Sequence, residues 1–178
     1  IVAANKANGS IHRKAFAENL LAFATFHKKY PNSQLYIHSE PSRVYGGFEL
    51  AGILRAVGLD KSAVMLPDPM TLRGGYPESH LAAFYSAFDV LLSTSYGEGF
   101  GIPTVEAQAC GTRVITSNFA ASKDLASEDS WKIDGQPLWD EAQGAFFSIP
   151  SINRITMALE EAYNGERGHS NKAVEFAK

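Results

Sequence analysis

The chain has 178 residues, 45% hydrophobic and 20% charged, with a net charge of −3. That length and balance fit one globular domain of ordinary soluble composition, large enough for a proper core. The charge gives no nucleic-acid footprint, so any phosphate must be held by a local basic cluster. A single cysteine, Cys110, excludes an internal disulfide and fits a reducing compartment. No apolar run reaches membrane-spanning length, and no signal peptide is expected. Ile1 is not a start methionine and the chain opens directly on an apolar segment, so a piece of a longer protein is expected.

Residues 1–4 read as a first strand. Residues 5–13 are polar, hold Lys6, His12 and Arg13, and take Gly9 as a turn residue. A helix is predicted over 14–30, where Phe16, Leu20, Phe23, Ala24 and His27 recur at helical spacing before Pro31. A second strand follows at 34–38. The helix at 48–57 gathers Leu50, Ile53, Leu54 and Val57 on one side and closes at Gly58. The third strand is 63–66, and 72–76 reads as loop around Gly74 and Gly75. A helix at 77–88 carries Leu81, Phe84, Tyr85 and Phe88, and the fourth strand is 90–93. Further on come a fifth strand at 113–116, a short helix at 119–125 and a short sixth strand at 131–133. Residues 145–149 read as edge strand or extended loop, and 151–163 as a helix capped by Ser151. Residues 165–178 read as a terminal helix or tail. Segment 127–143, with Trp131 and Trp139, has no function read from sequence.

Strands alternating with helices imply an α/β fold: a doubly wound parallel sheet of about six strands with helices on both faces, spanning 1–178 as a single domain. In the common strand order 3-2-1-4-5-6, the first and fourth strands are neighbours whose loops diverge, and ligands bind in that crevice. The loop after the first strand carries Lys6, Arg13 and Lys14. The loop after the fourth carries Glu98 and Glu106. Topology therefore sets a basic cluster opposite a carboxylate-rich loop.

Residues 93–111 are the richest stretch. Gly97, Gly99 and Gly101 alternate, which suits a loop with φ > 0 and close approach of a ligand. Pro103 fits the first turn of a helix and Gly111 the residue past its end. A helix N-terminus at Phe100, Gly101 and Ile102 aims N–H groups at an anion. On a helical wheel Glu106 shares its face with Ile102, Pro103 and Cys110, so it is expected to be half buried, and Phe100 is expected to lean on the sheet. No Lys or Arg occurs from Gly74 to Thr112. Partners for the two carboxylates must be backbone N–H groups, a cation from far along the chain, or ligand hydroxyls, and a polyol fits that need.

Missing motifs narrow the chemistry. There is no P-loop, no Gly-x-Gly-x-x-Gly after the first strand and no Asp-x-Asp pair, and the five histidines make no i, i+4 pair. No metal and no cofactor are expected.

Glu98-Gly-Phe-Gly-Ile-Pro-Thr-Val-Glu106-Ala-Gln-Ala-Cys-Gly111 resembles the Glu-x7-Glu signature of retaining glycosyltransferases of the GT-B fold, the GT4-type group. The resemblance extends to residues 80–95 and to Arg13-Lys14 with the segment 19–23, roughly two-thirds of the chain. It implies the Rossmann-like, C-terminal half of a GT-B protein that binds a nucleotide diphosphate sugar. Glu98 would contact the donor sugar near the reacting carbon, and Glu106 the ribose. Arg13, Lys14 and the backbone of Gly99, Phe100, Gly101 and Ile102 would hold the diphosphate. A saccharide or lipid-linked acceptor would come through a missing N-terminal domain, with no nucleic acid involved. The expected location is cytoplasmic, with peripheral contact to a membrane surface through the missing half left open. Plainer readings stand beside these: a solvated helix start for Arg13 and Lys14, a dipole-favouring carboxylate at Glu106, a loop-stabilising acceptor at Glu98. The rival functions are a nucleotide-sugar 2-epimerase on the same fold and a non-catalytic nucleotide-binding or signalling module.

Overall fold

A computed structural model describes residues 1–5, 12–44 and 46–178, so Lys6 and Gly9 lie outside the described residues. The elements in chain order are α1 (Phe16–Lys29), β1 (Leu35–Tyr36), α2 (Leu50–Val57), β2 (Val64–Met65), α3 (Pro69–Gly74), α4 (Glu78–Ala87), β3 (Val90–Ser93) and α5 (Ile102–Ala109). They continue with β4 (Arg113–Ser117), α6 (Ala120–Asp124), β5 (Trp131–Ile133), β6 (Gly135–Asp140), β7 (Ala145–Pro150), α7 (Ile152–Asn164) and α8 (Asn171–Phe176). The alternation is the expected α/β pattern, and the strand pairing follows the doubly wound order in two blocks.

In the first block β1 and β2 pair in parallel, Leu35 opposite Val64. The segment expected as the first strand is reduced to one parallel bridge, Val2 to His38, with the His38 N–H donating to the Ile1 carbonyl. In the second block β4 lies between β3 and β5, all parallel. Among the described residues no ladder joins the two blocks. Apolar packing spans them instead: Leu92, Ile115 and Ile133 share one buried cluster with Ile1, Phe16, Leu20, Leu35 and Ile37. At about 25 cal/mol per Å² of apolar surface, side chains of this size supply the main cohesion.

Two elements depart from the sequence reading. Residues 72–76 are not simply a loop, because α3 occupies 69–74: Asp68 caps it by accepting from the Thr71 N–H at 2.8 Å, and Pro69 stands in its first turn. Residues 135–150 form an antiparallel hairpin of β6 and β7, with Gly135 opposite Pro150 and Asp140 opposite Ala145. The chain end is helix rather than tail. Ser170 caps α8, the Ser170 N–H donates to the Gly111 carbonyl at 2.8 Å, and Ala173 is fully buried as α8 packs on α5.

Candidate functional site

The start of α1 and the loop after β3 are laced together across the seam between the sheet blocks. The Tyr96 N–H donates to the Arg13 carbonyl at 2.8 Å, Thr94 Oγ1 donates to Asn19 Oδ1 at 2.6 Å, and the Tyr96 hydroxyl donates to Glu18 at 2.7 Å. Thr94 and Asn19 are both buried, so their bond is protected from water. This lacing fixes where the side chains of Arg13 and Lys14 project. Ala15, just after them, holds φ of 51°, a left-handed conformation that costs a non-glycine residue about 1–2 kcal/mol.

Glu98 receives both cations. Arg13 Nη1 donates to its Oε2 at 3.0 Å and to the Gly97 carbonyl at 2.8 Å, and Lys14 Nζ donates to its Oε1 at 2.5 Å. The Glu98 side chain is 11% exposed, and those of Arg13 and Lys14 are 33% and 19% exposed. Burial opposes ionisation of Glu98, but hydrogen bonds from Lys14, Ser95 and Arg13, with the Lys14 charge, outweigh it and hold the carboxyl below its ordinary range. Of the partners left open by the sequence, Glu98 takes distant cations, Arg13 and Lys14, brought to it by the topology.

Of the three alternating glycines only Gly101 has positive φ, 92°, as the N-cap of α5. Gly97 is favoured for a different reason: a Cβ there would lie 3.1 Å from the Phe147 ring, which would have to shift by a few tenths of an ångström. A Cβ on Gly99 would meet no atom within 4 Å, which leaves its backbone open to a ligand. Pro103 stands in the first turn of α5, as its fixed φ favours.

Two expectations on this stretch are corrected. Phe100 does not lean on the sheet: it is 56% exposed, as is its neighbour Ile102 at 60%. Glu106 is exposed rather than half buried, because the helix face it shares with Ile102 looks outward and not into the core. Its partner is a protein hydroxyl, that of Tyr85, which donates to Glu106 Oε2 at 2.9 Å. Tyr85 is otherwise buried in the cluster with Leu91, Ala107 and Val114. Burial and the Glu106 carboxylate together push the Tyr85 phenol well above its ordinary range, so it remains a donor.

Clefts open on both sides of the glycine loop. One of about 560 Å³ lies at the reversal of strand order and is lined by Val2, Ala3, Asn5, His38, Glu40, Leu72 and Pro103. The other, about 740 Å³, runs from Arg13, Glu98 and Gly99 to Phe119, Ala120 and the β6–β7 turn. Both volumes suit a small-molecule ligand.

The sequence reading missed several residues that shape the first cleft. Buried Asn5 donates to the Glu40 and Phe48 carbonyls at 2.7 and 2.8 Å, while its Oδ1 accepts from the Phe48 N–H and from His12 Nε2. His12, from the segment read as polar, is 6% exposed and stacks on Phe48. Glu40 is paired with Arg73 at 3.0 Å. No spacing rule joins residues 33 positions apart, although Asp68-Pro69 is a readable helix start that sets Arg73 on α3. Among the described residues no group of three or more His, Cys, Asp or Glu is placed to hold a metal.

A doubly wound α/β domain with a ligand crevice at its strand-order reversal is the class this geometry defines. Residues 60–178 match the family model described as Glycosyl transferases group 1, and the chain belongs to that family. A D-inositol 3-phosphate glycosyltransferase of Corynebacterium urealyticum is 30% identical over 145 residues, covering 78% of this chain and 33% of that protein. One from Streptomyces bingchenggensis is 40% identical over 76 residues, 42% of this chain and 17% of that protein. The chain thus spans a third or less of these curated relatives. In fold it is similar to the C-terminal domain of a group 1 glycosyl transferase from Francisella tularensis, with a TM-score of 0.63 at 20% identity over 99% of this chain and 78% of that one. These likenesses give the Rossmann-like half of a GT-B fold.

Proposed function

We propose that this chain is the donor-binding half of a retaining, GT4-type glycosyltransferase that moves a hexose from a nucleotide diphosphate sugar to a saccharide or lipid-linked acceptor. The observation that carries this reading is the meeting of Arg13 and Lys14 with Glu98 across the crevice, at 3.0 and 2.5 Å, beside the glycine-capped start of α5. On this reading the diphosphate recruits Arg13 and Lys14 and the N–H groups of Phe100, Gly101 and Ile102. The N–H groups at the start of α5 are fixed before the ligand arrives, so they stabilise the charge that grows on the leaving diphosphate without reorganising, while Arg13 and Lys14 exchange Glu98 for phosphate oxygens. Glu98, released from the cations, accepts from sugar hydroxyls, and Glu106, held by Tyr85, accepts from the ribose. The acceptor belongs to a domain outside this chain, so the isolated chain binds nucleotide and turns nothing over. We place the protein in the cytoplasm, with any membrane contact made through that other domain; among the described residues no helix is long and apolar enough to cross a membrane.

Calorimetric titration of UDP, GDP and ADP into the chain and into Glu106→Ala tests the reading. One of the three is expected to bind the wild type, and Glu106→Ala to bind it about tenfold more weakly. No binding of any of them would overturn the proposal. In the full-length protein the anomeric configuration of the product, read by NMR, is expected to match that of the donor; an inverted product would overturn the retaining mechanism.

A further inference from the structure

The β6–β7 hairpin, where sequence suggested no role, is built against the same loop that carries Glu98. The Ser148 N–H donates to the Tyr96 carbonyl at 2.9 Å, and buried Phe147 packs on Gly97. At the base of the hairpin, Asn118 Nδ2 donates to Asp134 at 2.8 Å and the Asn118 N–H to the Ile133 carbonyl at 2.8 Å. The hairpin is therefore anchored at its base and along β7, and its turn forms the wall of the larger cleft opposite Arg13 and Glu98.

That wall has the chemistry of carbohydrate recognition. Phe146 is 58% exposed and meets Trp139, 49% exposed, edge to face at 5.1 Å. An aromatic ring held out in a cleft offers a flat apolar surface to the C–H face of a sugar ring. Beside it stand Asp140, whose Oδ1 accepts from the Ala142 N–H at 2.9 Å and so fixes the turn, and Gln143, an amide that can both donate and accept. Opposite them is Glu98. Glu98 and Gln143 thus line one cleft, which offers both a carboxylate and an amide to ligand hydroxyls. Ala120, also on the cleft, holds φ of 48°, a second strained non-glycine residue lining the same space.

We propose that the β6–β7 turn, through Gln143 and Phe146, selects the sugar carried by the donor. This rests on the donor-binding reading above, and deepens it: Glu98 and the cations hold what every donor shares, and the turn reads what distinguishes one hexose from another. Because a site that hydrogen-bonds a hydroxyl discriminates strongly against a sugar lacking it in that position, an amide here sorts epimers.

The test compares, on this chain, the affinity of the bare nucleoside diphosphate with those of its glucose, galactose, mannose and N-acetylglucosamine esters. Wild type, Gln143→Ala, Phe146→Ala and Glu98→Gln are titrated in parallel, with thermal melts to confirm folding. Both hairpin variants are expected to bind the bare diphosphate within twofold of wild type, while the preference among the four sugars shrinks at least fivefold. An unchanged sugar ranking in both hairpin variants overturns the proposal and leaves the donor-binding reading standing. A wild type for which the sugar adds nothing to the affinity overturns it too. A wild type that binds no nucleoside diphosphate overturns the donor-binding reading itself.

Discussion

Replacing Glu98 by Gln keeps its shape and removes one negative charge from a site with two cations. In the free protein the carboxylate engages both Arg13 and Lys14. A diphosphate that recruits the same cations must sit within about 6 Å of that carboxylate. With Arg13 a third exposed, an effective dielectric near 40 is appropriate, and two like charges at about 6 Å then cost about 1.4 kcal/mol. The substitution removes that cost, so the nucleoside diphosphate is expected to bind Glu98→Gln about tenfold more tightly than wild type. Calorimetry at low and moderate salt measures it, and the gain should shrink as salt rises, because screening acts on the same term. On the proposed reading, the full-length protein carrying this variant is expected to lose transfer activity even as it gains diphosphate affinity, since the donor sugar loses its carboxylate. Equal or weaker diphosphate binding by Glu98→Gln at low salt would refute the reasoning, for it would mean that the cations serve the loop and not a phosphate.

Three further outcomes are expected. Tyr85→Phe removes the hydroxyl that holds Glu106 and should weaken nucleotide binding about fivefold, while leaving the affinity of the 2′,3′-dideoxy analogue unchanged; an equal loss for both would mean that Tyr85 does not act through the ribose. Gly97→Ala puts a Cβ 3.1 Å from Phe147 and should cost about 1–2 kcal/mol, read as a lower midpoint in thermal unfolding; an unchanged midpoint would show that the hairpin is not tightly seated. His12, whose pKa burial lowers, refuses a proton that the unfolded chain accepts, so the unfolded state binds more protons and stability rises with pH. Stability should therefore fall as pH drops below about 6.5, and His12→Gln should flatten that slope in urea titrations from about pH 5 to 8. The Glu98 contribution is lost only in a lower window, as pH falls through its depressed pKa.

The sequence made the centre of the fold readable for physical reasons. Val90–Ser93 is an apolar run closed by turn residues, and it pairs as a buried strand over those same four residues. The approach of Arg13 and Lys14 to Glu98 followed from strand order, which needs no knowledge of side-chain geometry. The misreadings cluster at residues 100–106, at the start of α5. Phe100 reads as leaning on the sheet and Ile102 as sharing a half-buried wheel face with Glu106, yet both are more than half exposed, because an apolar side chain does not by itself say which side of the element faces the core. That error also turned Glu106 inward. The hairpin was hidden for another reason: β6 holds Gly135, Gln136 and Pro137, a poor strand by local preference, and exists by its register with β7.

Among the described residues no ladder joins the two sheet blocks, so the contact of Arg13 and Lys14 with Glu98 works as a clasp over the gap. A ligand that takes those cations would open the clasp and close another through itself. Occupancy would then be felt well beyond the crevice, as a change in how freely one block rocks against the other. Amide exchange at Tyr96, whose N–H crosses the gap to Arg13, is the natural place to see it.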